Sequence, residues 1–387
     1  MQGRDWVVVG STVEEMQSLG YSQVGKDFPV FLHPETKEEY ALARTERKSG
    51  KGYNGFEVYA SPDVTLEDDL ARRDLTVNAI AMDDSGHIID PYGGVADINN
   101  LILRHVTDAF NEDPLRVLRV SRFKARFHYL GFSIHPDTLS LMTEISNSGE
   151  LTELAPERIW AELVKSLMEI SPSQFFLVLR ECGALKVLFP ELDNLFGVEQ
   201  RKEHHPEIDT GVHTMMVLEQ AAKMQTNSEV RFASLVHDLG KADTPSELLP
   251  RHIGHEEKSV KRVNQMCARL KCPKSYHELA VLVAKYHTQC HQAFSLKSST
   301  VLKLLERVDA FRRPQLLMLF LQACKADALG RKGLENKKYN QLQYLLEAYK
   351  VCDAINVQLI LDEGIKGAEM GEVLKRKRTQ AIAMLKN

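Results

Sequence analysis

No two of the six cysteines form a CxxC pair; they are scattered at positions 182, 267, 272, 290, 324 and 352. This spacing excludes a disulfide framework and a zinc knuckle and fits a reducing compartment. No apolar run reaches membrane-spanning length and no secretory leader pattern is present, so the chain is expected in the cytoplasm with no membrane partner. Excess positive charge is also missing: 49 Lys+Arg against 53 Asp+Glu leave a formal net charge of -4. A uniformly basic coat for nucleic acid is thereby excluded, although local basic patches are not. No internal repeat or low-complexity segment is evident. What remains is ordinary for folded protein, with 43% hydrophobic and 26% charged residues over 387 positions. That length allows about two to four domains with separate cores.

The stretch Glu112–Arg126 organises the chain. Pro114 suits the first position of a helix, which makes Asp113 the natural N-cap. Arg116, Arg119, Arg122 and Arg126 then recur every three or four residues. At roughly 100° per residue they fall within an arc of about 120°. Leu115, Val117, Leu118, Val120, Phe123 and Ala125 make the other positions apolar nearly all round, the pattern of a buried helix. Buried guanidiniums need partners, so the row suggests an anionic or hydrogen-bonding ligand. Asp113 and Arg116, one turn apart, offer an acceptor beside a donor. Cytosine and adenine present an amino donor beside a ring acceptor, while guanine and uracil reverse that order. One Asp/Arg pair would therefore accept CTP and ATP and reject GTP and UTP, with protein as the template. The plain alternative is a capping aspartate with ordinary helix–helix salt bridges.

Residues 1–110 read as a mixed α/β module. Asp5–Gly10 predicts a strand entering a turn, and Thr12–Leu19 a short capped helix. Phe28–Leu32 and Glu39–Arg44 predict two further strands. Thr45–Tyr53 reads as a mobile basic loop, Leu66–Met82 as a helix carrying Arg72-Arg73-Asp74, and Asp90–Gly94 as a turn.

These pieces resemble the head and early neck of class II tRNA nucleotidyltransferases, the bacterial CCA-adding enzymes. The resemblance rests on Arg4–Gly10, Arg72–Ala79, Asp90–Gly94 and Glu112–Arg116 in the family's order, with Pro156-Glu157-Arg158 as a further neck element. It implies an α+β chain: a polymerase-β-like nucleotidyltransferase head of mixed sheet and helices, then an all-helical neck and body. It also implies that Asp113 and Arg116 select C and A, and that Arg73, Arg119 and Arg122 lie at the nucleotide. Asp5 corresponds to a catalytic carboxylate holding Mg²⁺. Two departures stand out. The family's Gly-Gly-x-x-Arg-Asp triphosphate loop has no counterpart before Met1, and Gly3 stands where the first carboxylate of an Asp-x-Asp pair is expected. With one carboxylate of the pair, weak or absent nucleotide addition is the physical expectation. Glu39 is either an extra carboxylate or a surface strand residue.

Residues 123–203 read as helical, with Leu139–Ile145, Arg158–Ile170 and Phe175–Glu181 at helical spacing. Phe175, Phe176, Leu179, Leu185, Leu188 and Phe189 are expected in the core. Of the 14 histidines, nine fall between 204 and 291. At their centre, Arg231–Lys241 reads as an apolar helix ending in His237-Asp238 before a glycine stop at Gly240. Neighbouring side chains on a helix diverge by about 100°, so both reach one ion only near its edge. Further ligands must come from other helices, with His213 upstream and Asp327 downstream as candidates.

His237-Asp238-Leu239-Gly240-Lys241 resembles the signature of the HD phosphohydrolase superfamily, an all-helical metal-dependent fold. The resemblance implies that His213, His237, Asp238 and Asp327 hold a divalent transition metal, Ni²⁺ first among the candidates, with His237 and Asp238 catalytic. His255, His287 and His291 fall to an outer shell or a second metal site, Lys241 to a phosphate, and His204, His205 and His277 to solvent-facing or capping positions. The expected layout is a head at 1–110, a neck and body at 111–203, an HD domain at 204–330 and a basic helical tail at 331–387. The tail's Lys375–Arg378 run reads as a solvated face. Three functions stand open: a tRNA CCA nucleotidyltransferase joined to a phosphohydrolase acting on 2′,3′-cyclic phosphates, 2′-nucleotides and phosphate esters; a tRNA-docking phosphohydrolase that no longer polymerises; and a poly(A) polymerase. The expected partners are the tRNA 3′ end, CTP and ATP, with monomer and homodimer both open.

Overall fold

Short runs of alternating apolar residues near the start of the chain build a mixed sheet. The computed structural model describes residues 5–24, 29–48, 56–203, 205–362 and 364–385. Strand β1 (Asp5–Val8) lies parallel to β4 (Glu39–Leu42), while β3 (Val30–Leu32) runs antiparallel to β4 and β2 (Ser22–Val24) antiparallel to β3. The sheet order is β1-β4-β3-β2. Register puts Asp5 opposite Glu39 and Trp6 opposite Tyr40, whose rings stack with centroids 5.4 Å apart. Helix α1 (Val13–Ser18) is capped by Thr12, whose hydroxyl accepts the Glu15 N–H at 3.1 Å. Met16 of this helix packs with Phe31 and Leu42 into the buried core beneath the sheet.

Two expectations fail nearby. Thr45–Lys48 is a strand, β5, paired antiparallel with β6 (Phe56–Tyr59); the rest of the expected loop, residues 49–53, lies outside the described residues. The helix expected over Leu66–Met82 stops at Ala71 (α2, Leu66–Ala71). Tertiary pairing overrides helix propensity there: Leu75 bridges to His105, and the Thr76 N–H donates to the Arg104 carbonyl at 2.9 Å. The buried Asp74 carboxylate adds a local competitor, accepting the Leu75 N–H at 2.9 Å and the Asn78 amide at 3.1 Å. At the Asp90–Gly94 turn, Asp90 accepts the N–H groups of Gly94 and Val95, which opens α3 (Gly94–Asn99).

Helix α4 (Leu115–Phe127) follows. Pro114 is already helical at φ -58°, and extended Asp113 accepts the Leu115 N–H at 3.1 Å, so the cap forms as the sequence implies. Leu115, Val117, Leu118, Val120, Phe123 and Ala125 are all buried. Helices α5 (Pro136–Ser148), α6 (Pro156–Leu167), α7 (Ser173–Glu181) and α8 (Ala184–Leu188) complete this stretch. Every residue expected in the core from Phe175 to Phe189 is buried.

Contacts divide the chain into two compact units, Met1–Glu162 with Gln174–Leu188, and Leu163–Ser173 with Phe189–Asn387. The second unit is helical: α9 (Pro190–Asp193), α10 (Thr210–Lys223), α11 (Ser228–Val236), α12 (His255–Arg269), α13 (Lys274–His291), α14 (Ser298–Arg307), α15 (Pro314–Leu329), α16 (Asn340–Asp353), α17 (Val357–Asp362) and α18 (Gly367–Met384). Helix α11 lies at its centre, packed by α10, α13 and α15. In the basic run, Lys375 and Arg376 are exposed, but Arg378 lies 3.8 Å from the Phe311 ring centroid, so the face is solvated only in part. Among the described residues, no helix is long and apolar enough to cross a membrane.

Candidate functional site

Within the first unit, a cavity of about 1590 Å³ is lined by β1, β4, the end of α2 and the inward face of α4. Asp5 and Glu39 reach it side by side from paired strands, as do Arg73, Asp74, Asp113, Arg116, Arg119, Arg126 and Arg158. The arginine row is not bare. Arg119 donates through Nε to Asp74 at 2.6 Å, and Arg116 donates to the carbonyls of Ala109 at 2.7 Å and Arg72 at 2.5 Å. Arg73 meets Asp69 at 3.2 Å and the Asn78 carbonyl at 3.2 Å. Burial pushes the Asp74 carboxyl up, but the charge of Arg119, the Asn78 amide and the charge of Arg116 outweigh it and hold it below the usual carboxylate range.

Asp113 and Arg116 face the same cavity without bonding each other. Asp113 receives Arg158 at 2.8 Å on Oδ2 and the Leu115 N–H on Oδ1. Arg122 departs from expectation. It is absent from the cavity lining and pairs instead with buried Glu162 at 2.8 Å. Gly3, where the family's first carboxylate would stand, lies outside the described residues.

In the second unit, histidines and carboxylates converge from five helices. His213 comes from α10, His287 and His291 from α13, Asp327 from α15, and His255 opens α12. His237 ends α11, and Asp238 leaves the helix at φ -110°, which relieves the divergence expected of neighbours on one helix. His213 Nε2 lies 3.2 Å from Asp327, and His237 Nε2 lies 3.2 Å from Asp238 and 3.7 Å from Asp327. The buried atoms His213 Nε2, His237 Nε2 and Asp238 Oδ1 have no hydrogen-bond partner. Converging imidazole nitrogens and carboxylate oxygens, orphaned in a buried space, fit a divalent transition metal.

Surrounding contacts orient these rings. His237 Nδ1 donates to the Ser234 carbonyl at 2.8 Å, leaving Nε2 to face the centre. His291 Nε2 donates to Asp327 at 2.6 Å, with its Nδ1 2.9 Å from the Tyr339 hydroxyl. Lys241, expected at a phosphate, meets Asp238 Oδ2 at 2.6 Å and Gln200 at 2.6 Å. Burial lowers the His237 pKa, but Asp238 and Asp327 more than reverse it, and the two carboxyls are held well below their usual range despite burial. Burial pushes His255 and His291 down.

Two glycines set the spacing. A Cβ on Gly240 would sit 2.3 Å from the Ser259 nitrogen and 2.4 Å from the His255 carbonyl, so α12 docks directly on the signature's backbone. The expected glycine stop is instead a close-packing position, with Gly240 N–H donating to Ser259 Oγ at 2.8 Å. Likewise a Cβ on Gly330 would meet Val217 Cα at 2.5 Å, seating the end of α15 against α10.

Comparison with known proteins now bears on both sites. Residues 13–104 match the model described as the Poly A polymerase head domain, residues 131–196 that of a probable RNA and SrmB-binding site of polymerase A, and residues 210–314 the HD domain. The multifunctional CCA protein of Acinetobacter baumannii (strain AYE) is 58% identical over 386 residues, covering 100% of this chain and 93% of that protein. The chain belongs to the multifunctional CCA protein family. A second family member, from Thioalkalivibrio sulfidiphilus, is 55% identical over 383 residues, covering 99% of this chain and 94% of its own. The family's fold is seen in a CCA-adding enzyme in complex with ATP, with TM-score 0.65 at 20% identity over 99% of this chain and 81% of that one. The α+β reading of this family member, a polymerase-type head ahead of helical domains, agrees with these matches.

Sequence reasoning missed several residues. Asp74 and Arg158, which hold Arg119 and Asp113, sit inside quoted motifs but carry no partner information in one dimension. Glu207 was missed outright; its carboxylate lies 2.9 Å from His213 Nδ1 and 3.1 Å from His205 Nδ1. His205, assigned to solvent or a cap, stacks edge-on to His213 at 4.6 Å, and burial pushes its pKa down to about 3. His277 behaves as assigned, sitting at the surface against Asn264. His204 lies outside the described residues.

Proposed function

We propose that this chain adds and repairs the 3′-terminal CCA of tRNA from CTP and ATP in the cytoplasm, and that its HD centre hydrolyses phosphate esters, among them 2′,3′-cyclic phosphates and 2′-nucleotides. The reading is supported above all by one observation: an acceptor at Asp113 and a donor at Arg116 share a cavity with Asp5, Glu39, Arg73 and Arg119. Asp113 accepts the exocyclic amino group of cytosine or adenine, and Arg116 donates to the neighbouring ring nitrogen. Arg158 fixes the Asp113 carboxylate, and the carbonyls of Ala109 and Arg72 fix the Arg116 fork, so the base reader is held rigid before a base arrives. Arg73 and Arg119 supply positive charge for the triphosphate. The oxygen donors of Asp5 and Glu39 suit Mg²⁺, which when bound supplies the charge that aligns a 3′-hydroxyl with the triphosphate.

In the HD centre, His213, His237, Asp238 and Asp327 hold a transition metal, for which Ni²⁺ is our first candidate. The ion supplies Lewis acidity to a phosphoryl oxygen and to water. The Ser234 carbonyl keeps the His237 ring turned inward, Glu207 lies 2.9 Å from His213 Nδ1, and Lys241 offsets the charge of Asp238. The test is to incubate purified protein with tRNA lacking its 3′ end, CTP and ATP, and separately with 2′,3′-cAMP. Addition of C and then A, with hydrolysis of the cyclic phosphate, is expected. Hydrolysis without addition, or runs of A alone, overturns the polymerising half of the reading.

A further inference from the structure

Between α9 and α10, the segment 199–209 touches the second unit's polar centre twice: Gln200 reaches Lys241, and Glu207 reaches His213. Its ends are pinned together. Glu199 and Asp209 form an isolated bridge, and the Gln200 N–H donates to the Ile208 carbonyl at 2.7 Å. Ile208 takes a left-handed φ of 64° to close this loop, a costly conformation for a β-branched residue. His252 Nε2 donates to the Glu199 carbonyl at 3.0 Å, which leaves Nδ1 to accept the Thr244 hydroxyl at 2.8 Å. So fixed, Gln200 is only 2% exposed. An ammonium only donates, so the 2.6 Å contact with Lys241 Nζ belongs to the amide oxygen of Gln200. That settles which way the amide faces, and its Nε2 is a buried donor with no hydrogen-bond partner. The same ammonium lies 2.6 Å from Asp238 Oδ2, so one cation joins the orphaned amide to a carboxylate of the centre.

We propose that the Gln200 side chain binds the phosphate ester hydrolysed in the second unit, donating from Nε2 to an anionic oxygen of its phosphate group beside Lys241. This rests on the phosphohydrolase reading of that unit. A buried N–H needs an acceptor, and a phosphate group brings anionic oxygens that accept strongly. The neutral amide adds a directed donor without placing a second cation against Lys241. Its oxygen meanwhile holds the ammonium in place, so Gln200 and Lys241 act as one preorganised pair.

The test is steady-state hydrolysis of 2′,3′-cAMP by the full-length, Ni²⁺-loaded protein, with inorganic phosphate as competitive inhibitor. Gln200→Ala removes both donor and acceptor. Gln200→Glu keeps an acceptor of the same reach for Lys241 but has no N–H to offer. Both variants should raise KM for 2′,3′-cAMP and Ki for inorganic phosphate about 10-fold or more, the loss of one hydrogen bond to a charged group. Bound metal, measured by elemental analysis, should stay at the wild-type amount in each. Impairment in Gln200→Ala with wild-type constants in Gln200→Glu overturns the proposal, because Gln200 then serves only to hold Lys241. Wild-type KM and Ki in both variants overturn it as well, as does a loss confined to kcat. Should Gln200→Ala fail to fold, the Gln200→Glu constants decide alone. A wild type that binds metal yet leaves 2′,3′-cAMP and p-nitrophenyl phosphate intact overturns the phosphohydrolase reading itself, before any variant is compared.

Discussion

The cavity of the first unit and the histidine centre of the second handle buried polarity in opposite ways. In the cavity, charge is answered by the protein itself: Arg119 by Asp74, Arg158 by Asp113, and Arg116 by two carbonyls. In the histidine centre, nitrogen and oxygen acceptors converge with too few donors, and His213 Nε2, His237 Nε2 and Asp238 Oδ1 go unbonded. The first arrangement is a rigid mould of paired charges, which we propose an incoming nucleotide reads against. The second is a demand for a cation. The chain thus keeps two kinds of preorganisation, one built mainly on charges paired within the protein and one on converging acceptors left without donors.

The sharpest way to break that contrast is to remove one partner of a buried ion pair in the first unit. Arg122→Ala removes a buried partner of Glu162, both side chains being under a tenth exposed, and should cost about 3–5 kcal/mol in denaturant unfolding. Replacing both partners with apolar residues of similar size should restore most of the loss. In the histidine centre, His237→Ala should cut 2′,3′-cAMP hydrolysis by about 100-fold or more while nucleotide addition continues. Normal phosphodiesterase turnover in that variant would remove His237 from the ligand set. Arg116→Ala should lower discrimination against GTP and UTP by about 1–3 kcal/mol, measured as a ratio of kcat/KM values, with hydrolysis retained. Equal loss of both activities would count against separate sites.

The smallest effect concerns pH. The Asp74 carboxyl is depressed in the folded state, so its contribution to stability is complete above its usual value of 3.8 and is lost as pH falls through the folded value. Asp74→Asn should therefore cost about 1–2 kcal/mol at neutral pH, moderated because Arg119 is 36% exposed, and the difference from wild type should fade in acid. A gap that widens on acidification would show that Asp74 destabilises the folded state when charged.

Where the sequence was legible, local chemistry carried the signal. Pro114 and the apolar spacing that follows mark α4, and the apolar run before His237-Asp238 marks α11. Where it failed, the deciding partner was distant. The segment after Ala71 leaves the helix because Arg104 and His105 capture its backbone, which no window around residue 75 reveals. Arg122 shares its arc with Arg116 and Arg119, yet Glu162 draws it away from the cavity. Glu207 has no periodic neighbour to announce it, and only the packing of α10 brings His213 to its side. The same packing seats His205 against His213.

Gly240 turns this packing into a limit on what the centre tolerates. Ordinary carbon contacts need about 3.5–4.0 Å, so a single methyl at this residue would force α12 to retreat by about 1 Å. His255 rides on the first turn of that helix, and a displacement of this size is enough to cost about 100-fold in a site that depends on alignment. One hydrogen atom in place of a carbon therefore acts as the gauge that sets the position of His255, fifteen residues farther along the chain.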